Sequence, residues 1–210
     1  ASIAGHFGEL LQGRLGPDGP VVLVTLPCPA LGVSAAHRPG GTFHLHWRNG
    51  RRAIGRAALA RFLAGLGARP AGRLVLDAAM PPGGGAGAST ASLLAAAATM
   101  APGLPAVRLA RACLAAEGAS DPLMMDDPAA RLWAPREARS LAFLPPLPRI
   151  EAVGGFAGRG LPTDPADTAF ADIADLAEAW APAAARGDLA ALARLASASA
   201  RRNRALRGGG

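Results

Sequence analysis

The stretch that decides the fold is Pro81-Pro82-Gly83-Gly84-Gly85-Ala86-Gly87-Ala88-Ser89-Thr90-Ala91. Residues 73–79 before it, centred on Leu74-Val75-Leu76, read as a strand. Residues 89–100 behind it read as an Ala/Leu helix stopped by Pro102. Between them the glycines let backbone N–H groups approach a ligand closely, and some can take positive φ. The helix start adds unpaired N–H donors and the positive end of its dipole. Pro82 to Thr90 therefore form a phosphate cradle, in which Ser89 and Thr90 can cap the helix or coordinate a cation. The competing reading is a plain strand-to-helix turn.

Working outward, residues 21–26 and 30–36 are apolar runs separated by Pro27 and Pro29, and read as two strands. Residues 42–47 read as an edge strand. Residues 53–66 have helical spacing and end at Gly67, and residues 107–117 are another helix. Residues 122–148 are Pro-rich and irregular, with a strand at 141–144. Beyond the Pro145–Pro148 cluster, residues 150–156 read as a buried strand and 158–167 as a loop. Residues 169–181 and 189–204 read as amphipathic helices, the second capped by Asp188. The pattern is α+β with a boundary at 146–150, giving domains 1–148 and 149–210. One strand and two helices do not close a domain, so the second reads as incomplete.

With 210 residues, 50% hydrophobic and 18% charged, the chain is globular rather than disordered. No run of about 18 apolar residues suggests a membrane span, and the start does not read as a signal peptide. Cys28 and Cys113 form neither a disulfide scaffold nor a metal motif, so the cytoplasm is the expected compartment. Cys113, on a helix, reads as core. The net charge is +7, and all 22 basic residues are Arg. Without Lys there is no lysine-dependent phosphate loop and no Schiff base. The Arg residues are scattered, aromatics are 4% and Tyr is absent, which argues against a nucleic-acid platform. The excess charge reflects coding bias or attraction of an anionic ligand. His44 and His46 share one strand face, but no third ligand is near and the four His do not form a metal set.

The loop resembles the second motif of the GHMP kinases, P-x-x-x-G-L-G-S-S-A. Pro81, Gly85, Gly87, Ser89 and Ala91 fall on it; Ala86 stands for the usual Leu or Met and Ala88 for the first Ser. Gly5-His6-Phe7-Gly8-Glu9-Leu10-Leu11-Gln12-Gly13 resembles the G-E-x-x-Q-G motif of the L-threonine kinases of cobalamin synthesis and propanediol utilisation. Glu117-Gly118-Ala119-Ser120-Asp121-Pro122 resembles their E-G-x-x-D segment, and homoserine kinases carry a similar one. Val153-Gly154-Gly155-Phe156 with Thr163-Asp164-Pro165-Ala166-Asp167 is similar to the start of this branch's C-terminal domain. In two places the chain departs from the threonine kinases: Gly84 stands where they often have Lys, and His6 where they often have a small polar residue or Cys. The third family motif, a Gly-rich loop near the C-terminus, is missing.

The resemblance implies a ribosomal S5 domain 2-like N-terminal ATP-binding domain and an incomplete ferredoxin-like C-terminal domain. It implies ATP and Mg²⁺ as cofactors. The cradle of Pro82, Gly83, Gly84, Gly85, Ala86, Gly87, Ala88, Ser89 and Thr90 would hold the nucleotide, and Ser89 and Glu117 the metal. A carboxylate at a helix C-terminus is opposed by the dipole, and a nearby cation would reverse that penalty. Asp121 would orient or deprotonate the acceptor hydroxyl, and Glu9 would contact substrate. Read alone, Asp121 suits equally a cap before Pro122, and Glu9 a surface turn. The acceptor would be a small amino acid, L-threonine first. A homoserine-kinase-like enzyme, another alcohol acceptor, or a catalytically inactive nucleotide-binding protein are the alternatives. The expected partner is the small-molecule substrate, with no nucleic acid, no membrane and a homodimer possible.

Overall fold

The computed structural model describes residues 1–156, 158, 160, 161 and 164–208. Thr163 of the C-terminal resemblance and the last two glycines lie outside them.

A mixed sheet organises the chain. Its order is β3 (His44–Trp47), β4 (Arg73–Ala78), β2 (Val21–Arg38), β5 (Arg131–Ala134) and β6 (Arg139–Phe143), with β1 (Ser2–Arg14) paired to β2 off that path. Among the strands of the described residues only β3 and β4 run parallel. The helices are α1 (Arg56–Gly65), α2 (Ala88–Met100), α3 (Ala106–Glu117), α4 (Ala174–Ala185) and α5 (Leu189–Leu206).

Several sequence expectations change. The two runs around Pro27 and Pro29 are one strand. The register to β1 jumps from Ala4–Gly32 to Gly5–Cys28, and this irregularity accommodates prolines that cannot donate to the ladder. β1 itself lacked a readable pattern, because bulges between His6 and Glu9 and between Glu9 and Leu11 break its alternation. β5 is an additional strand within the Pro-rich region. Residues 150–156 are not a buried strand: they carry no regular structure, and Val153 is fully exposed. The helix expected from 169 starts at Ala174, where the Asp172 carboxylate accepts from the Ala174 N–H. Asp188 caps α5 as expected, accepting from Ala191 N–H at 2.9 Å.

Both faces of the central strand are covered. Val22 and Val24 pack with Leu11, Ile173, Leu176 and Trp180, the core shared by β1, β2, α4 and α5. Leu23, pointing the other way, packs with Ala110 and Trp133. This explains a continuous apolar run where one solvated face would give alternation. The second half of β2 joins β4, α1 and α2 in the largest cluster, which includes the expected core residue Cys113. α2 is buried from Ala88 through Ala97 except Ser89, its alanines permitting close packing on all sides. No described helix is long and apolar enough to cross a membrane.

Candidate active site

The glycine loop leads from β4 into α2 as its sequence suggests. Gly83, Gly85 and Gly87 all have positive φ, near +70°, which other residues adopt only at a cost. Gly87 is the N-cap of α2 and no side chain caps the helix start. The first-turn amides are thus left without a capping side chain, as an anion site requires. A Cβ on Gly85 would meet nothing within 4 Å, so the loop is open there. At its start the loop is covered: Leu161 N–H donates to Gly83 C=O at 2.9 Å, and Phe156 packs on Gly84. Ala86 is buried, and its C=O accepts from His6 N–H at 3.2 Å.

The two residues expected to hold a metal meet. The Ser89 hydroxyl donates to the Glu117 carboxylate, joining the first turn of α2 to the last residue of α3. Gly118, at φ +77°, ends α3 there. Burial pushes the Glu117 carboxyl up, and Asp121 adds to this against the Ser89 hydrogen bond and the Arg61 charge. A hydroxyl and a half-buried carboxylate are hard oxygen donors of the kind Mg²⁺ accepts.

Asp121 is fixed from two sides. Its N–H donates to Thr90 Oγ1 at 3.3 Å. Ser120 before it is tied to the sheet, its C=O accepting from the Trp133 indole at 2.6 Å and its N–H donating to Pro135 C=O at 2.9 Å. Glu9 accepts from the Thr25 hydroxyl at 2.9 Å on the neighbouring strand.

Sequence reasoning missed His6. It is 3% exposed, with Nδ1 3.5 Å from Glu9 Oε1 and Nε2 3.4 Å from Asp121 Oδ2. Burial lowers its pKa, but the two carboxylates outweigh this and leave it raised to about 9. Burial raises Glu9 to about 7, with Asp121 adding and His6 and Thr25 opposing. In a regular strand residues 6 and 9 would face opposite sides. The bulge at Gly8, φ +81°, turns both toward Asp121. The only sequence signal was the departure from the resembled motif at position 6.

Beside the end of β4 an open space of about 500 Å³ is lined by Ser34, Asn49, Arg51, Asp77 and Ala79. Asn49 and Arg51 donate to the C=O groups of Ala78 and Ala79.

The Leishmania major mevalonate kinase solved in complex with R-mevalonate matches 98% of this chain and 76% of its own, with a TM-score of 0.50 and 13% identity. The fold is similar to that of the GHMP kinases. A 4-(cytidine 5'-diphospho)-2C-methyl-D-erythritol kinase aligns over 89% of this chain and 72% of its own (TM-score 0.40, 22% identity). Mevalonate kinase from methicillin-resistant Staphylococcus aureus MRSA252 aligns over 56% of this chain (TM-score 0.37, 16% identity), which spans 45% of that protein. No family model and no curated protein matches the chain.

Proposed function

We propose that the chain is the catalytic part of an ATP-dependent GHMP-type kinase that phosphorylates the hydroxyl of a small amino acid, L-threonine first. The observation that carries this reading is the meeting of Ser89 and Glu117 at the mouth of an uncapped, glycine-lined helix start, with Asp121 alongside. That arrangement suits what phosphoryl transfer asks of a protein: donors for the phosphates, ligands for a cation and a group near the acceptor.

In this reading the N–H groups from Gly85 to Thr90 hold the phosphates. Ser89 and Glu117 would hold Mg²⁺, whose charge would offset that on the phosphates when bound. Asp121 accepts the proton of the acceptor hydroxyl as that oxygen bonds to the γ-phosphorus and the bridging P–O bond breaks to release ADP, and Glu9 positions the substrate from β1. The ferredoxin-like second domain of the family would build on α4 and α5.

The test is a phosphotransfer screen over amino acids and small alcohols with ATP and Mg²⁺. Phosphorylated threonine, well above homoserine and alcohols without a carboxylate, is the expected result. Equal activity on alcohols lacking a carboxylate would remove the amino-acid acceptor, and no transfer to any of them would remove the kinase reading.

A further inference from the structure

Two carboxylates, Glu9 from β1 and Asp121 from the turn after α3, approach one buried imidazole. They meet it on opposite edges, Glu9 at Nδ1 and Asp121 at Nε2. A donor atom from each of the three residues lies within 4.8 Å of the others, near enough for an ion. One metal ion takes only one ring nitrogen, and a carboxylate at the other nitrogen would then orient the ring; the alternative without an ion is a ring charged toward both acids. A doubly protonated ring faces each carboxylate with positive charge, at ion-pair distance rather than in hydrogen-bond geometry.

We propose that His6 is a positioning residue for phosphoryl acceptance, an imidazolium that clamps Glu9 and Asp121 and holds the Asp121 carboxylate toward the acceptor. This rests on the kinase reading and adds to it a residue that the resemblance does not supply.

Three further observations support it. Among the described residues no Arg forms an ion pair with Glu9 or Asp121, and Arg61 acts on Glu117 instead. Without His6 the two carboxylates would share a largely buried site with no counter-charge, which is costly. The ring is also seated by the phosphate loop itself. A Cβ on Gly87 would lie 2.6 Å from His6 Cδ2 and 2.9 Å from Nε2, so the loop's left-handed glycine and the imidazole occupy adjoining space. The backbone of His6 bonds to Ala86 of the same loop. His6 thus joins the cradle, the β1 acid and Asp121 in one packed unit. Among the described residues the titratable groups facing the cluster are Glu9 from β1, Asp121 itself, and from α3 Glu117 and the Cys113 thiol, both of which interact with Asp121, the thiol being held neutral by burial; β2 contributes the neutral Thr25 hydroxyl. Burial lowers the ring's pKa while the Glu9 and Asp121 charges raise it, and the net shift is upward to about 9.

The experiment compares wild type with His6→Asn and His6→Gln, each of which keeps an N–H donor without the charge. Steady-state kinetics from pH 6 to 10 are read together with the imidazole ¹⁵N shifts of the wild-type protein. The expected KM for MgATP changes less than about threefold, while kcat falls at least tenfold. Wild-type kcat declines on the alkaline side near pH 9, and both variants lack that limb. The ¹⁵N shifts show an imidazolium at pH 7.5. Wild-type kcat in both variants, or an alkaline limb unchanged in them, would overturn the proposal. So would a neutral ring at pH 7.5, or stoichiometric uptake of Zn²⁺ or Mn²⁺ lost on substitution. The ¹⁵N result needs no turnover, so a wild type without kinase activity but with an imidazolium at His6 would sink the kinase reading and the acceptance role while keeping the clamp. A neutral ring in an active kinase would do the reverse.

Discussion

The Ser89 hydroxyl donates to the Glu117 carboxylate across 28 positions of sequence, tying the start of α2 to the end of α3. Glu117 sits where burial and the negative end of its helix both oppose a charge. Arg61 relieves part of that, donating to Ala116 C=O at 2.8 Å. Holding an ionised carboxylate here makes physical sense when a cation completes the site.

Glu117→Gln therefore keeps the Ser89 contact and the fold while removing the charge. Thermal stability should hold or rise slightly, by up to about 1 kcal/mol from the lost helix-end clash. Phosphoryl transfer should fall by orders of magnitude, and ATP affinity should depend less on Mg²⁺. Kinetics and ATP titrations with and without Mg²⁺ check this; wild-type turnover would take Glu117 out of the site.

In Gly87→Val the new Cβ would strike His6 and Leu123, so that variant tests packing as well as binding. Gly85 is the cleaner position. It has φ +67° and open space where a Cβ would go. Gly85→Ala should cost only about 1–2 kcal/mol of backbone strain. If phosphates approach this backbone, it should weaken ATP binding at least tenfold. Calorimetry decides, and unchanged affinity would move the phosphate site elsewhere.

His6 makes stability fall as pH rises. Its pKa is raised from 6.5 to about 9, so the folded chain holds a proton that the unfolded chain releases. That contribution is complete below pH 6.5 and is lost as pH climbs through 9. Glu9, raised from 4.5 to about 7, acts in the same direction over its own window. Tm should drop steadily between pH 6.5 and 9.5, and His6→Asn should flatten that slope. A Tm that rises over this range would contradict the pairing.

The C-terminal helices brace the strand that carries the site. Ser199 on α5 donates to Gln12 C=O and accepts from Gln12 N–H, both at 3.0 Å. Ser199→Ala should cost about 1–3 kcal/mol, because the buried strand groups lose their partner. Trp180→Ala, deep in the core shared with β1, should cost about 3–5 kcal/mol. Denaturant unfolding measures both, and a negligible loss for Trp180→Ala would show that α4 does not dock as described.

How legible the molecule was varies with the physics. The loop, α2 and α3 could be read because glycine, an Ala/Leu run and a terminating glycine act locally. β1 could not, since Gly5, Gly8 and Gly13 carry no alternation and the strand is shaped by its pairing with β2. Residues 150–156 were misread because Ile, Val and Phe suggest burial, whereas Phe156 instead meets Phe7 edge-on at 6.1 Å. Glu117 and Asp121 could be singled out from a motif. His6 could not, because its significance lies in partners that only a bulge and a distant turn bring to it.

The most direct test of the central claim is calorimetric titration of the protein with ATP, in the presence and absence of Mg²⁺. Binding should be saturable at one site, tightened by Mg²⁺, and that tightening should largely vanish in Glu117→Gln. No binding, or binding indifferent both to Mg²⁺ and to Glu117, would contradict the assignment of the glycine loop and the Ser89–Glu117 pair as a nucleotide and metal site.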